Sequence, residues 1–351
     1  MGALPPLKPH RLPLPLLLIG LATLLLILAA VSITRGAVAI PLTQCLNILL
    51  HHGPADAQQQ AVLLQIRLPR ILLALLVGAG LGISGTAMQG LMRNPLADPS
   101  LIGISSGGAL AATLVFLAGD TAALKLAQYP GVFLLPAAAF GGALVTTLAV
   151  YRLSQSAGRM MIAVVLLAGI AINAMANAFS ALLTFFATDS PIRNVSFWKL
   201  GSLGGATWVS VAIMLPCVLV PVAVLSGQGR ALNAFLLGEG EAFHLGLPVE
   251  RAKRIIILMV ALAAGASVAF TGIIGFVGLV VPHILRYLAG PDYRRLLPAS
   301  ALAGGVLLLA GDLISRTIVV PAELPIGIIT ALGGAPFFLY LLLRDRRLRL
   351  S

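Results

Sequence analysis

Runs of about twenty mainly apolar residues recur along this chain, and they limit its fold more than any other feature. A membrane span needs roughly 20 such residues, because the hydrocarbon core is about 30 Å thick and an α-helix rises about 1.5 Å per residue. Applied along the sequence, that rule marks ten spans, near residues 14–34, 69–92, 97–118, 131–153, 160–186, 207–226, 252–271, 274–290, 298–319 and 325–344. Gly and Pro interrupt the third and the eighth. The expected fold is all-α: a polytopic integral membrane protein with about ten transmembrane helices, some broken by Gly or Pro. Composition agrees, since 59% of the 351 residues are hydrophobic and 10% charged, against roughly 25% charged in a soluble domain. So few charges cannot cover a water-facing surface, which argues against a soluble enzyme or a nucleic-acid-binding domain. The first run exceeds the apolar core of a signal peptide, which is about 7–15 residues long, and reads as a retained span.

The net charge of +12 is explained by position. Sixteen basic residues fall on one side of a ten-span topology and seven on the other, namely Arg35, Arg67, Arg70, Lys125, Arg193, Lys199 and Arg316. The richer side is expected to be cytoplasmic. Both termini then lie in the cytoplasm, and in a bacterial inner (cytoplasmic) membrane the sparser side faces the periplasm. The basic tail at 344–349 reads as a stop-transfer cluster that can touch anionic lipid. No soluble domain interrupts the chain, so 1–351 reads as a single membrane domain. Its longest polar stretches are 35–66 and 187–206 outside and 227–253 inside.

Small residues crowd the second span (Gly78, Gly80, Gly82, Ser84, Gly85, Gly90) and the seventh and eighth (Gly265, Gly272, Gly275, Gly278). Tight helix packing explains most of them; a Gly-broken helix lining a pathway is the other use. A shared rhythm, Gly78-Ala79-Gly80 with Gly85 against Gly265-Ala266-Ser267 with Gly272, fits an inverted repeat of spans two to five on seven to ten. Asp312 and Arg316 stand four apart in the ninth span, where they can pair on one face or mark a functional site. His283 reads as a helix-end hydrogen-bonding residue, and Phe197 and Trp198 as an interfacial belt. His51 and His52 have no partner at metal spacing, and Cys45 and Cys217 form no framework. None of the four lysines sits in a G-x-x-x-x-G-K-[ST] context, so no P-loop is present. No HExxH or G-x-S-x-G pattern appears either. Uphill transport would draw on an ion gradient or on a separate ATPase. Loop 227–253 bears on that choice: it can hold a short helix ended at Gly246, either lodged in a partner's groove or lying at the interface.

Several motifs together resemble a known family. They are Arg67-Leu68-Pro69-Arg70, the run Gly78 to Gln89, Arg93-Asn94-Pro95-Leu96-Ala97-Asp98-Pro99, Gly275-Phe276-Val277-Gly278 with Pro282-His283, and Glu323-Leu324-Pro325-Ile326-Gly327. From about residue 60 onward they resemble the FecCD-type permease subunits of ABC importers for iron-siderophores, haem and vitamin B12. The resemblance implies a single permease domain that pairs with a second copy of itself around a central pathway. It also implies two ATPase subunits on the cytoplasmic face and a periplasmic substrate-binding protein outside. This chain is then not an enzyme and holds no cofactor; ATP and Mg belong to the partner ATPase. By the same resemblance Leu237, Gly238, Glu239, Ala242, Leu245 and Gly246 match the ATPase-coupling pattern, with residues 232–247 moving as one helix. Arg67, Arg70 and Arg316 match the arginines that engage acidic residues of the binding protein. Guanidiniums on a charge-poor rim are suited to bidentate carboxylate pairing.

Residues 193–208 are closest to the haem branch, so the expected cargo is haem; ferric siderophore comes second and vitamin B12 third. A gradient-driven secondary transporter is the rival from another class. It calls for ionisable groups near the bilayer midplane, and the spans supply almost none. A membrane enzyme would need a catalytic constellation that the spans do not supply.

Overall fold

The computed structural model describes residues 12–36, 38–50, 56–119, 131–156, 159–320 and 322–350. Each of the ten apolar runs forms a helix. In chain order the helices are α1 (Leu14–Thr34), α2 (Leu42–Leu49), α3 (Ala57–Ala61), α4 (Leu68–Leu91), α5 (Ile104–Ala118), α6 (Gly131–Leu153), α7 (Ile162–Phe185) and α8 (Asp189–Lys199). There follow α9 (Trp208–Gly227), α10 (Gly229–Leu237), α11 (Glu239–His244), α12 (Val249–Thr271), α13 (Val277–Ala289), α14 (Tyr293–Ser315) and α15 (Ile326–Leu350). Among the described residues seven helices are long and apolar enough to cross a membrane, and α5, α13 and the Ile326–Tyr340 part of α15 are shorter apolar helices. The expectations at His51, His52 and Lys125, and Lys8 and Arg11 among the sixteen basic residues of the richer side, lie outside the described residues.

The third and eighth spans start later than their apolar runs. Asp98 caps a 3-10 turn at Pro99–Ile102 by accepting from the Ser100 N–H, and Gly103 at φ +89° lets α5 begin only at Ile104. Between α12 and α13 the chain leaves helical geometry from Gly272 to Phe276, the latter at φ +67°. Non-helical backbone at this depth needs protein cover. Neighbouring backbone supplies it: Ser202 N–H donates to Thr271 O at 2.8 Å, and Gly272 lies so close to Trp198 that a Cβ there would stand 2.1 Å from the Trp198 carbonyl oxygen. The polar stretches are also more ordered than composition suggests. Stretch 35–66 holds α2 and α3, and a π-helical turn at Val62–Arg67 runs α3 into α4, giving a helix of 35 residues from Ala57 to Leu91. A two-residue antiparallel hairpin, β1 (Gln155–Ser156) and β2 (Arg159–Met160), joins α6 to α7.

Helix α4 is the hub, packed by α9, α12, α13 and α14. Its apolar window is 83% buried against 11% for α1, so α4 faces protein and α1 chiefly lipid. The α4–α14 seam shows why small residues are needed. A Cβ built on Gly78 would stand 2.3 Å from Gly304 O, and one on Gly304 would stand 2.0 Å from Gly78 O. The two backbones touch, the usual route to dispersion energy where lipid removes the hydrophobic drive. Thr86 Oγ1 donates to Ser300 Oγ across the same seam at 2.6 Å.

Candidate functional site

Two groups of polar residues stand at opposite ends of the bundle. At one end, Arg67 closes the π turn, Arg70 lies in the first turn of α4, Asp312 and Arg316 sit at the end of α14, and Glu323 precedes α15. Arg70 Nε and Nη2 each lie 2.9 Å from Asp312 Oδ1, and its Nη1 donates to both oxygens of Glu323 at 2.8 Å. Arg316 Nε is 3.3 Å from Asp312 Oδ2, the four-residue pairing that the sequence allows. Arg316 also donates to the carbonyls of Ser32 and Arg35, and Arg67 to those of Ile33 and Val38, so both clasp the end of α1.

The rim of free guanidiniums expected from the sequence is not what the fold contains. Arg67, Arg70 and Arg316 are 3%, 6% and 6% exposed and Asp312 is fully buried. Cations held at such depth need compensating partners, and the chain provides two carboxylates and four carbonyls of its own. The cluster still carries one positive charge more than its carboxylates balance. It lines a cavity of about 260 Å³ together with Gly36, Val38, Val62, Ile66, Val320 and Glu323. Glu323 is the member that sequence reasoning left without a role. Its signal was a carboxylate two residues before the Pro-Ile-Gly start of the last apolar run.

At the other end, the stretch read as one helix over 232–247 is broken. Gly238, at φ +119° and ψ 155°, separates α10 from α11, and Gly246, at φ +78°, turns the chain out of α11. L-residues with a side chain strongly disfavour both conformations. Ala242 is the buried residue of α11, while Leu237, Phe243 and Leu245 are each about two-thirds exposed. Glu239 reaches Lys253 in the first turns of α12. The preceding α10 is pinned to the start of α14, because Asn233 Nδ2 donates to Asp292 Oδ1 at 2.7 Å and Asn233 Oδ1 accepts from the Tyr293 N–H at 2.9 Å. The Arg294 guanidinium, with Asn233, holds the Asp292 carboxyl well below the usual carboxylate range.

The remaining candidates are structural in their surroundings. The His283 ring packs edge-on against Phe337 at 5.9 Å, Trp198 leans on the core, and Phe197 is exposed. Cys45 is buried and Cys217 half-buried, both as free thiols. Among the described residues no group of three or more His, Cys, Asp or Glu could hold a metal ion.

Residues 24–344 match the FecCD transport family. The chain is 44% identical to the hemin transport system permease protein HmuU of Yersinia pestis, covering 95% of this chain and 98% of that one. It is 42% identical to the cobalamin import system permease protein BtuC of Halobacterium salinarum, over 91% of this chain and 83% of that one. It is 34% identical to the iron(3+)-hydroxamate import system permease protein FhuG of Bacillus subtilis, over 94% and 97% of the two chains. A solved structure described as an inward-facing metal-chelate type ABC transporter superposes with a TM-score of 0.82 at 32% identity, covering 94% of this chain and 99% of that one.

Proposed function

This chain belongs to the FecCD transport family, and from that membership we propose that it is the permease subunit of an ATP-driven importer whose cargo is haem. It provides the membrane conduit, while ATP is bound and hydrolysed with Mg on two partner ATPase subunits. A second copy of the chain completes the pathway, and a periplasmic binding protein delivers the cargo. The chain crosses the bacterial inner membrane many times with both termini in the cytoplasm, an orientation that the basic-residue asymmetry supports.

One observation carries the coupling half of this reading. Two glycines in conformations that side chains avoid flank α11, which seats Ala242 in the core while Phe243 on it, and Leu237 and Leu245 on either side of it, are presented outward. Apolar side chains on a short helix beyond the spans suit a partner's groove. Arg67, Arg70 and Arg316 are assigned to docking of the binding protein, reached through the cavity that they line. Their one unbalanced positive charge favours an acidic visitor. Support for haem comes from 44% identity over nearly the full length to a hemin permease. The 42% identity to a cobalamin permease makes vitamin B12 the second reading.

The test is reconstitution with the ATPase and the cognate binding protein, offering haem, a ferric hydroxamate and cobalamin separately. Haem uptake that requires ATP should exceed the other two at least about tenfold, a difference of about 1.4 kcal/mol. ATP-dependent uptake of cobalamin or the siderophore, with none of haem, would overturn the cargo while leaving the importer intact.

A further inference from the structure

Among the described residues Lys253 is the most deeply buried cation, 1% exposed, and neither the arginine cluster nor the outward apolar side chains around α11 involve it. Its Nζ donates three hydrogen bonds, each to a different segment. Glu239 Oε2 of α11 accepts at 2.5 Å, Glu250 Oε1 in the first turn of α12 at 3.0 Å, and the Met160 carbonyl of β2 at 2.9 Å. An ammonium has three protons to give, and all three are used. Glu250 closes the ring by accepting from the Met160 N–H at 3.0 Å.

Among the described residues the Glu239–Lys253 pair is the one ion pair, and the one side-chain hydrogen bond, joining α11 to another element. The backbone hydrogen bonds of α11 stay within its own loop, from Gly238 to Leu247. Apart from Ala242 in the apolar core, α11 is thus fastened to the membrane bundle by a single charged tie. The far side of the tie is α12, which packs directly on the hub helix α4. Opening such a tie leaves a buried ammonium short of one counter-charge, which is costly. Helix α11, the start of α12 and the hairpin are therefore favoured to move together.

We propose that Lys253 is a positioning residue for energy coupling: it fastens α11 to α12, so that a displacement of α11 by the ATPase is delivered to the spans. The proposal rests on α11 being the helix that the ATPase engages.

The experiment compares K253M and E239Q with the unaltered chain, each assembled with the ATPase and binding protein in liposomes. The readouts are ATPase co-purification and cargo moved per ATP hydrolysed. K253M should retain the ATPase and continue to hydrolyse ATP while cargo moved per ATP falls at least about fivefold; E239Q should lower the same ratio, and the double variant should fall no further than K253M. A merely structural role would lower assembly and both rates together and leave the ratio unchanged. E239Q leaves Lys253 its bonds to Glu250 and Met160, so it decides the matter even where K253M fails to accumulate. An unaltered ratio in E239Q overturns the proposal. Failure of the ATPase to co-purify with the unaltered chain would instead overturn the reading of α11 itself.

Discussion

At the scale of single residues the arginine cluster sets a constraint that docking must respect. Reversing Arg67, Arg70 and Arg316 to Glu looks like a direct test of their role, but Asp312, fully buried and served by Arg70 and Arg316, would then face like charge. Removing one partner of a buried pair costs about 3–5 kcal/mol, so the triple reversal should fail in stability before it reports on docking. Glu323 offers the cleaner probe, because its side chain is nearly half-exposed and it touches the cluster only through Arg70. E323Q removes the competing carboxylate charge without orphaning Asp312. Should Arg70 engage an acidic residue of the binding protein, E323Q tightens docking at least about twofold at low salt, and the gain shrinks as ionic strength rises. Titration of the binding protein onto the reconstituted permease measures it, and an affinity identical to that of the unaltered chain would remove Arg70 from the docking set. The sequence singled out the three arginines that gather here and allowed the Asp312–Arg316 pairing. Their burial was not legible, because it depends on the end of α1 lying across them, a contact between residues 34 and 284 positions apart.

At the scale of elements, apolar run length located all ten helices, since hydrocarbon thickness acts on each run alone. What local pattern could not give is where a helix stops inside an apolar run. α5 and α13 are shortened by Asp98 capping, by Gly103 and by the left-handed Phe276, and distant segments bond beside those breaks: Thr146 and Asn173 to the Gly103 and Ser100 carbonyls, and Ser202 N–H to that of Thr271. The division of α10 from α11 is different in kind. A Cβ at Gly238 or Gly246 would meet nothing within 4 Å, so only backbone conformation reserves these positions for glycine. This gives a sharp expectation: at Gly238, Ala should do about as much harm as Val, since both enter a backbone region essentially reserved for glycine, at a cost of about 1–3 kcal/mol, and neither meets a clash. Either substitution, by re-aiming α11, should reduce cargo moved per ATP hydrolysed. A graded effect, mild in G238A and severe in G238V, would point to steric contact and count against a conformational role. Gly78, pressed on Gly304 O, should show the graded pattern in stability.

For the whole molecule the decisive property is where buried charge sits. Among the described residues the buried charged side chains are Arg67, Arg70, Asp312 and Arg316 at one end of the bundle and Lys253 at the other. Helices α4, α12 and α14 meet between these ends through Gly, Ala, Ser and Thr. A carrier driven by protons or Na⁺ must change the charge or coordination of a group that senses both sides, which is why such groups stand near the midplane. Buried charge at the two ends and, among the described residues, none between them suits the importer proposed above, in which a loaded binding protein acts on one end and an ATPase on the other. The chain alone in liposomes, with a proton or Na⁺ gradient imposed, should therefore not accumulate haem. With the ATPase, the binding protein and ATP it should, and an ionophore that collapses every ion gradient should leave that uptake unchanged. Accumulation by the chain alone, or its loss on adding the ionophore to the ATP-driven system, would mean that the spans themselves convert an ion gradient into transport. The uncharged seam between α4 and α14 would then have to be reconsidered as the pathway of the driving ion.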